Sequence, residues 1–259
     1  MLNKGKKIFI PTINKWGAEK AQKHFTKPPI IIGGCGRSGT TLLLSMLSAH
    51  PSIFAFPDEL SIFNHWKKHP ATGQWKPQRL DRMYRYLLMH RIPKDITRWC
   101  EKTPYNIRYI HRVLDYFKQD VIIIHIIRDG RDVCMSKHPD KPGEYWVDPN
   151  RWVYDVRKGL EYKDHPNVYT IFYEDLIENY HKHMRKLISF LDEPFSKELQ
   201  QWYIYTKVKE NNAWYGSVEN LHNHSAGKWR NKENIQRLKE IMAYREFEEL
   251  LRELNYPMQ

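Results

Sequence analysis

An α/β protein, a parallel sheet flanked by helices, is what this 259-residue sequence predicts, and three short apolar runs predict it. Each is β-branched and each gives way to a helical pattern, the alternation that a parallel sheet needs because every crossover requires a covering helix. The first, "PIIIGG" at 29–34, ends in glycines and precedes "TTLLLSMLSAHP", where Leu and Met recur at helical spacing before a proline stop. The second, "DVIIIHIIRDG" at 120–130, is apolar on both faces, as in a strand covered on both sides, and "RDVCMSKHP" opens the next helix. The third, "NVYTIFYEDL" at 167–176, alternates into a strand and yields to "IENYHKHMRKLISFLDEP", whose Leu187, Ile188, Phe190 and Leu191 share one helical face. Ligands of such sheets bind beyond the carboxyl ends of the strands.

Composition frames this as a single domain. A chain with 41% hydrophobic and 14% aromatic residues can bury a full core. Residues 29–259 are expected to form that domain, preceded by a basic, solvated amino-terminal segment at 1–28. Residues 60–100, rich in Trp, His, Arg and Tyr, read as a helical insertion, and residues 194–235 read mostly as loop. The formal charge of +12 comes from 42 Lys and Arg against 30 Asp and Glu, spread along the chain with no basic block. That distribution suits an anionic ligand. Nucleic acid is not expected as a partner, because zinc-finger spacing, an RNA-binding aromatic signature and a basic heptad helix are all missing. Three cysteines without paired spacing argue against a disulfide framework and a zinc site. No transmembrane run and no secretory signal are read, so the expected location is cytoplasmic.

The chemistry concentrates in "GGCGRSGTT" at 33–41. Its glycines let successive amides turn toward one anion, and the helix that follows adds the positive end of its dipole. A nucleotide triphosphatase would carry a lysine after the last glycine, to reach the β and γ phosphates. Thr40 stands there instead, and Arg37 sits inside the loop, able to fork onto a phosphate or a group attached to it. A second anion site is read from "IIRDGRDVCMS", with Arg128 at a strand end and Ser136 on the first turns of the next helix.

With these motifs in order, the sequence resembles the sulfotransferases that use 3′-phosphoadenosine 5′-phosphosulfate (PAPS). The likeness is to the tyrosylprotein, heparan and bacterial branches, which write an arginine before Ser-Gly-Thr-Thr, and it implies a P-loop-like sulfotransferase fold. It assigns Arg37, Ser38, Gly39, Thr40 and Thr41 to the 5′-phosphosulfate, and Arg128 with Ser136 to the 3′-phosphate. Lys102, in "EKTPYNIRYI", resembles the family's catalytic lysine, which neutralises charge on the oxygen bridging phosphorus and sulfur. The resemblance further implies that a carboxylate after the first helix takes the acceptor's proton. In "AHPSIFAFPDELSIF" Glu59 fits with one residue inserted and Asp58 fits an ungapped count; Glu59 is favoured for its reach. His50, His65 and His69 are alternatives, since the branch acting on small molecules uses a histidine.

Two later pieces complete the likeness. Tyr173 of "FYEDL" corresponds to a strand-end tyrosine that approaches the nucleotide. Lys228 of "SAGKWRNKEN", with Ser225, corresponds to a phosphate-binding segment, where Trp229 packs or stacks on adenine. The implied reaction is sulfuryl transfer from PAPS to an acceptor hydroxyl without a metal. A carbohydrate acceptor is favoured because Trp66, Trp75, Arg79, Arg82, Tyr84 and Arg85 could stack on a sugar and bind its acidic groups. Tyrosine or small-molecule sulfation is an alternative with the same chemistry. A nucleotide kinase is the rival from another class, opposed by Thr40, and a polyanion-binding module without chemistry is opposed by Glu59 and Lys102 together.

Overall fold

The computed structural model describes residues 10–138, 140–209 and 226–258. Along the chain run α1 (Ile10–His24), β1 (Ile30–Gly34), α2 (Thr40–Ser48), β2 (Ile53–Ala55), β3 (Trp66–Lys68), β4 (Trp75–Pro77) and α3 (Leu80–Met89). Next come β5 (Arg98–Lys102), α4 (Ile110–Tyr116), β6 (Ile122–Ile127), α5 (Gly130–Cys134), α6 (Pro149–Leu160) and β7 (Val168–Phe172). The chain continues with α7 (Tyr173–Glu178), α8 (Tyr180–Phe190), α9 (Lys197–Gln200), α10 (Trp202–Tyr205), α11 (Ile235–Met242) and α12 (Arg245–Glu253). Short 3-10 turns at Ile62–Asn64, Pro104–Tyr109, Lys228–Arg230 and Lys232–Asn234 join them.

Five strands form one sheet in the order β2-β5-β1-β6-β7, and every pairing in it is parallel. The pleat of β1 sends Ile30 and Ile32 to one face, where Ile124 and Ile126 join them beneath α2, α7 and α8. Ile31 and Ile123 take the other face under α3 and α4, and Ile127 meets α6 and α12 through Trp152, Val156 and Phe247. Covered on both sides, the sheet places all its carboxyl ends along one edge. In α12, Phe247, Leu250 and Leu251 are buried at helical spacing, each contributing about 1.5–3 kcal/mol by leaving water.

Three regions depart from the sequence reading. The amino-terminal segment is not a solvated tail over residues 10–24: α1 lies on α3, with Gly17 so close to Tyr84 that a Cβ there would come within 2.2 Å of the Tyr84 Cβ. Lys20 Nζ then caps the carbonyl end of α3, donating to Leu87 O (2.5 Å) and His90 O (3.0 Å). Residues 1–9 lie outside the described set. Residues 60–100 hold a single α-helix, with an antiparallel hairpin of β3 and β4 in place of the expected helical insertion. Gly73, at φ 69°, supplies the left-handed turn of that hairpin. Within 194–235, α9 and α10 replace part of the expected loop, and residues 210–225 fall outside the described set.

No helix among the described residues is long and apolar enough to cross a membrane.

His125 sits in the middle of β6, fully buried against Gly159 of α6, and neither ring nitrogen has a hydrogen-bond partner among the described residues. Burial pushes its pKa from 6.5 down to about 3. Below pH 6.5 the unfolded chain therefore takes a proton that the folded chain refuses until about pH 3, so stability is full above 6.5 and is lost as the pH falls through that window. The loss amounts to roughly 2 kcal/mol at about pH 5. Replacing His125 by Leu removes this slope. Urea denaturation at about pH 7.5 and about pH 5 should show the variant gaining roughly 2 kcal/mol on the natural chain at the lower pH; an unchanged gap would contradict the account.

Candidate active site

At the end of β1 the chain turns through Cys35–Ser38, closed by Ser38 N–H donating to Cys35 O at 3.2 Å. Arg37 adopts φ 71°, a left-handed conformation unusual for a residue with a Cβ, which folds the loop back over the helix start. Gly39 follows at φ 93°, and a Cβ there would stand 2.5 Å from Cδ2 of Tyr173, so only glycine fits on both counts. No side chain caps α2, which leaves its first amides to bind a ligand. Thr40 and Thr41 are buried, and the Ser38 Oγ is buried without a hydrogen-bond partner among the described residues. An orphan hydroxyl beside uncapped amides fits an oxyanion such as a phosphosulfate.

The second motif is tied directly to this loop. Arg128, at the end of β6, donates from Nη1 to Arg37 O at 3.0 Å, and its guanidinium lies 4.6 Å from the centre of the Tyr173 ring. Arg37, Arg128 and Tyr173 are thus brought together. Ser136 is placed differently from expectation. Helix α5 ends at Cys134 because the chain leaves it for an antiparallel bridge of Lys137 with Tyr145, so Ser136 lies beyond the helix rather than on its first turns. Its Oγ donates to Asp132 O at 3.3 Å.

Sequence reasoning missed the carboxylates of "RDGRD" and "YED". Asp129 caps α5 by accepting from Arg131 N–H at 2.9 Å and grips the Arg131 guanidinium with both oxygens. Arg131 in turn donates to Pro257 O at 2.6 Å and stacks 3.7 Å from the Trp229 ring centre. Asp132 accepts the backbone N–H groups of Gly227 (2.6 Å) and Trp229 (3.2 Å), holding the segment that carries Lys228. Glu174 takes the Asp129 N–H at 2.9 Å and the Tyr256 hydroxyl at 3.0 Å. Burial pushes the carboxyls of Asp132 and Glu174 upward. Two Arg-Asp pairs within five residues were the available signal. Lys228 itself is exposed, Trp229 is packed beneath Arg131, and Ser225 lies outside the described residues.

At the other side of β1, the end of β5 brings Lys102 level with Ile32. Its ammonium is fully buried and donates to Glu59 Oε1 at 2.6 Å, while the Glu59 side chain is 42% exposed. The loop around Glu59 is pinned twice, by Arg82 Nη1 donating to Leu60 O (2.8 Å) and by Ser61 N–H donating to Thr103 Oγ1 (3.1 Å). Asp58 is exposed. His50 is occupied structurally, its Nε2–H directed at Pro194 O (2.9 Å) and its Nδ1 accepting from Ser52 N–H (3.2 Å). His65 and His69 belong to the β3–β4 hairpin, pairing through their backbone with Gln78 and Gln74.

Of the six residues read as acceptor contacts, most have structural partners. Trp66 stacks on Phe63, Tyr84 faces Gly17, and Arg79 and Arg85 flank Asp81. Trp75 alone among the aromatics is well exposed, at 41%, with Arg112 4.0 Å from its ring centre. A comparable group follows Lys102: Arg108 lies 4.4 Å from the Tyr105 ring centre and 5.1 Å from that of Tyr154, and both rings are exposed.

Comparison with known proteins gives this geometry its family. The model of the sulfotransferase family matches residues 28–197. The chain belongs to the sulfotransferase family. A sulfotransferase domain model also matches residues 143–253 of the chain. It is 25% identical over 201 residues to protein-tyrosine sulfotransferase A of Caenorhabditis elegans, covering 67% of this chain and 52% of that protein. It is 26% identical over 196 residues to the protein-tyrosine sulfotransferase of Drosophila melanogaster, covering 65% of this chain and 39% of that one. The chain thus spans about half or less of the length of these curated relatives. In fold it is similar to the sulfotransferase domain of the curacin biosynthetic pathway, with TM-score 0.58, 19% identity, and 91% and 100% of the two chains covered. A mouse sulfotransferase complexed with PAP matches with TM-score 0.54 and 18% identity over 88% of each chain.

Because Asp132 holds the Gly227 and Trp229 amides, Asp132→Asn should free the segment that carries them. Hydrogen–deuterium exchange over residues 226–231 is expected to rise at least about tenfold, the loss of a charge-assisted bond worth about 1.5–3 kcal/mol, with β6 unchanged. Equal protection in both proteins would show that Asp132 is not the anchor.

Proposed function

We propose that this chain transfers the sulfuryl group of PAPS to an acceptor hydroxyl. The observation that carries the reading is the Lys102–Glu59 ion pair at 2.6 Å, set at the end of β5 beside a phosphate loop that lacks its own lysine. On this reading Arg37, Ser38, Gly39, Thr40 and Thr41 hold the 5′-phosphosulfate, Arg128 and Ser136 the 3′-phosphate, and Tyr173 and Lys228 flank the nucleotide. PAPS supplies an activated sulfuryl group whose leaving group is 3′-phosphoadenosine 5′-phosphate (PAP). Glu59, whose carboxylate Lys102 holds at 2.6 Å, is the base that takes the proton of the acceptor O–H. As the acceptor oxygen bonds to sulfur, its proton passes to Glu59 and the bond from sulfur to the bridging oxygen breaks. The electron pair left on that oxygen is met by the Lys102 ammonium, released from Glu59 as the carboxylate is neutralised. Alignment and charge stabilisation supply most of the rate.

A carbohydrate is the acceptor this reading favours. The exposed rings of Trp75, Tyr105 and Tyr154 offer apolar faces to a sugar ring, and the half-buried Arg112 and Arg108 beside them offer guanidinium groups to its acidic substituents. The naming of two relatives as protein-tyrosine sulfotransferases supports a second reading, a peptide tyrosine.

Glu59→Gln is expected to leave PAP affinity nearly intact and to lower turnover roughly 10²-fold or more, with Asp58→Asn active as the control. An active Glu59→Gln beside an inactive Asp58→Asn would transfer the role to Asp58. A radiolabelled-PAPS assay across glycans, acidic tyrosine peptides and simple phenols decides the acceptor: transfer to peptides with none to glycans would overturn the carbohydrate reading.

A further inference from the structure

The carboxylate of Glu101, one residue before Lys102 in β5, has no role in the chemistry above, yet it is fully buried, opposite Ile31 of β1. Burying an ionisable group costs several kcal/mol unless its oxygens are hydrogen-bonded, and both are. Oε1 accepts the Thr103 hydroxyl at 2.5 Å, and Oε2 accepts Asn106 Nδ2–H at 2.7 Å. Each of these partners reaches onward. Asn106 Nδ2 also donates to Ile32 O at 3.1 Å, just before the phosphate loop leaves β1. The Thr103 oxygen, its proton committed to Glu101, presents a lone pair to the Ser61 N–H at 3.1 Å. Ser61 holds the left-handed φ of 51°, a conformation that must be held from outside in a residue with a Cβ, and it lies two residues after Glu59.

We infer that Glu101 is a positioning residue: through Thr103 and Ser61 it fixes the loop that presents Glu59 to Lys102. Glu101 has no exposed surface and so does not meet the acceptor; it acts on the reaction through its neighbours. The inference rests on the reading of Glu59 and Lys102 as base and cation.

The charge on Glu101 is what orients the Thr103 hydroxyl. A protonated carboxyl would offer its own O–H and leave Thr103 free to turn from Ser61. The charged and titratable groups around it are Lys102, which favours the anion, and Glu59, which opposes it, with Cys100 behind it on the same strand; Thr103 and Asn106 are neutral donors that favour the anion. Burial outweighs them and raises the Glu101 carboxyl from 4.5 to about 7. Below that pH the carboxyl is protonated, so turnover should fall on an acid limb near neutrality.

Glu101→Gln keeps the shape and replaces an acceptor by a donor. It is expected to lower kcat about 10- to 100-fold, the range for misplacing a catalytic group by about 1 Å, to leave the Kd of PAP within about twofold, and to abolish the acid limb of kcat near pH 7. Thr103→Val, which breaks the same chain while leaving the carboxylate itself in place, should lower kcat comparably at unchanged PAP affinity, and it carries the test if Glu101→Gln does not fold. Wild-type kcat in Thr103→Val, or wild-type kcat with the limb retained in Glu101→Gln, would overturn the inference. So would a loss of PAP binding that matches the loss of rate. Activity in Glu59→Gln would instead defeat the underlying reading, whereas an inactive Glu59→Gln beside fully active Glu101→Gln and Thr103→Val would defeat the positioning role alone.

Discussion

A lysine ammonium with no exposed surface must have an anion, and at the end of β5 that anion is Glu59. Losing Glu59 would strand the buried ammonium, and the surrounding structure is built to keep the two together. Parallel pairing sets Lys102 level with Ile32 and hence beside the start of the phosphate loop. Arg82 and Thr103 pin the loop that carries Glu59 from two directions. Where a nucleotide triphosphatase plants its cation on the helix that follows the loop, here Thr40 takes that position, and the cation arrives from the neighbouring strand.

The opposite side of the phosphate loop is organised by backbone and buried charge. Arg128 reaches the Arg37 carbonyl, so the two motifs cannot move apart independently. Asp129, Arg131 and Asp132 then draw in the carboxyl-terminal segment through Pro257, Gly227 and Trp229, while Glu174 joins the start of α7 to Tyr256. These bonds run from 2.6 to 3.2 Å, are buried or partly buried and each involves a charged side chain, conditions that strengthen a hydrogen bond. One turn of five residues thereby connects parts of the chain that each lie more than 40 positions from it.

What the sequence revealed and what it hid have physical causes. The strands β1, β6 and β7 were readable because their residues are apolar and β-branched, and the phosphate loop because its glycines and hydroxyls are contiguous. Strand β5 was not, since Arg98, Glu101 and Lys102 give it the composition of a surface segment. Each of those charges is buried against a partner distant in sequence or around a turn: Glu193 at 3.2 Å from Arg98, Glu59 from Lys102, and Thr103 with Asn106 around Glu101. Periodicity cannot see such pairs. The same blindness made α1 look like a basic tail, although Gly17 and Lys20 fasten it to α3, and made Trp66 and Tyr84 look like acceptor contacts when their rings are packing partners.

The central claim is that this loop, without a lysine of its own, is shaped for a sulfated and 3′-phosphorylated adenosine nucleotide. Isothermal titration of the chain with PAP, beside ATP in the presence of magnesium, tests it most directly. The account predicts that PAP binds at least about 100-fold more tightly, because Arg128 and Ser136 are proposed to hold the 3′-phosphate and Thr40 stands where a γ-phosphate-binding lysine would. ATP with magnesium binding as tightly as PAP, or more tightly, would contradict it.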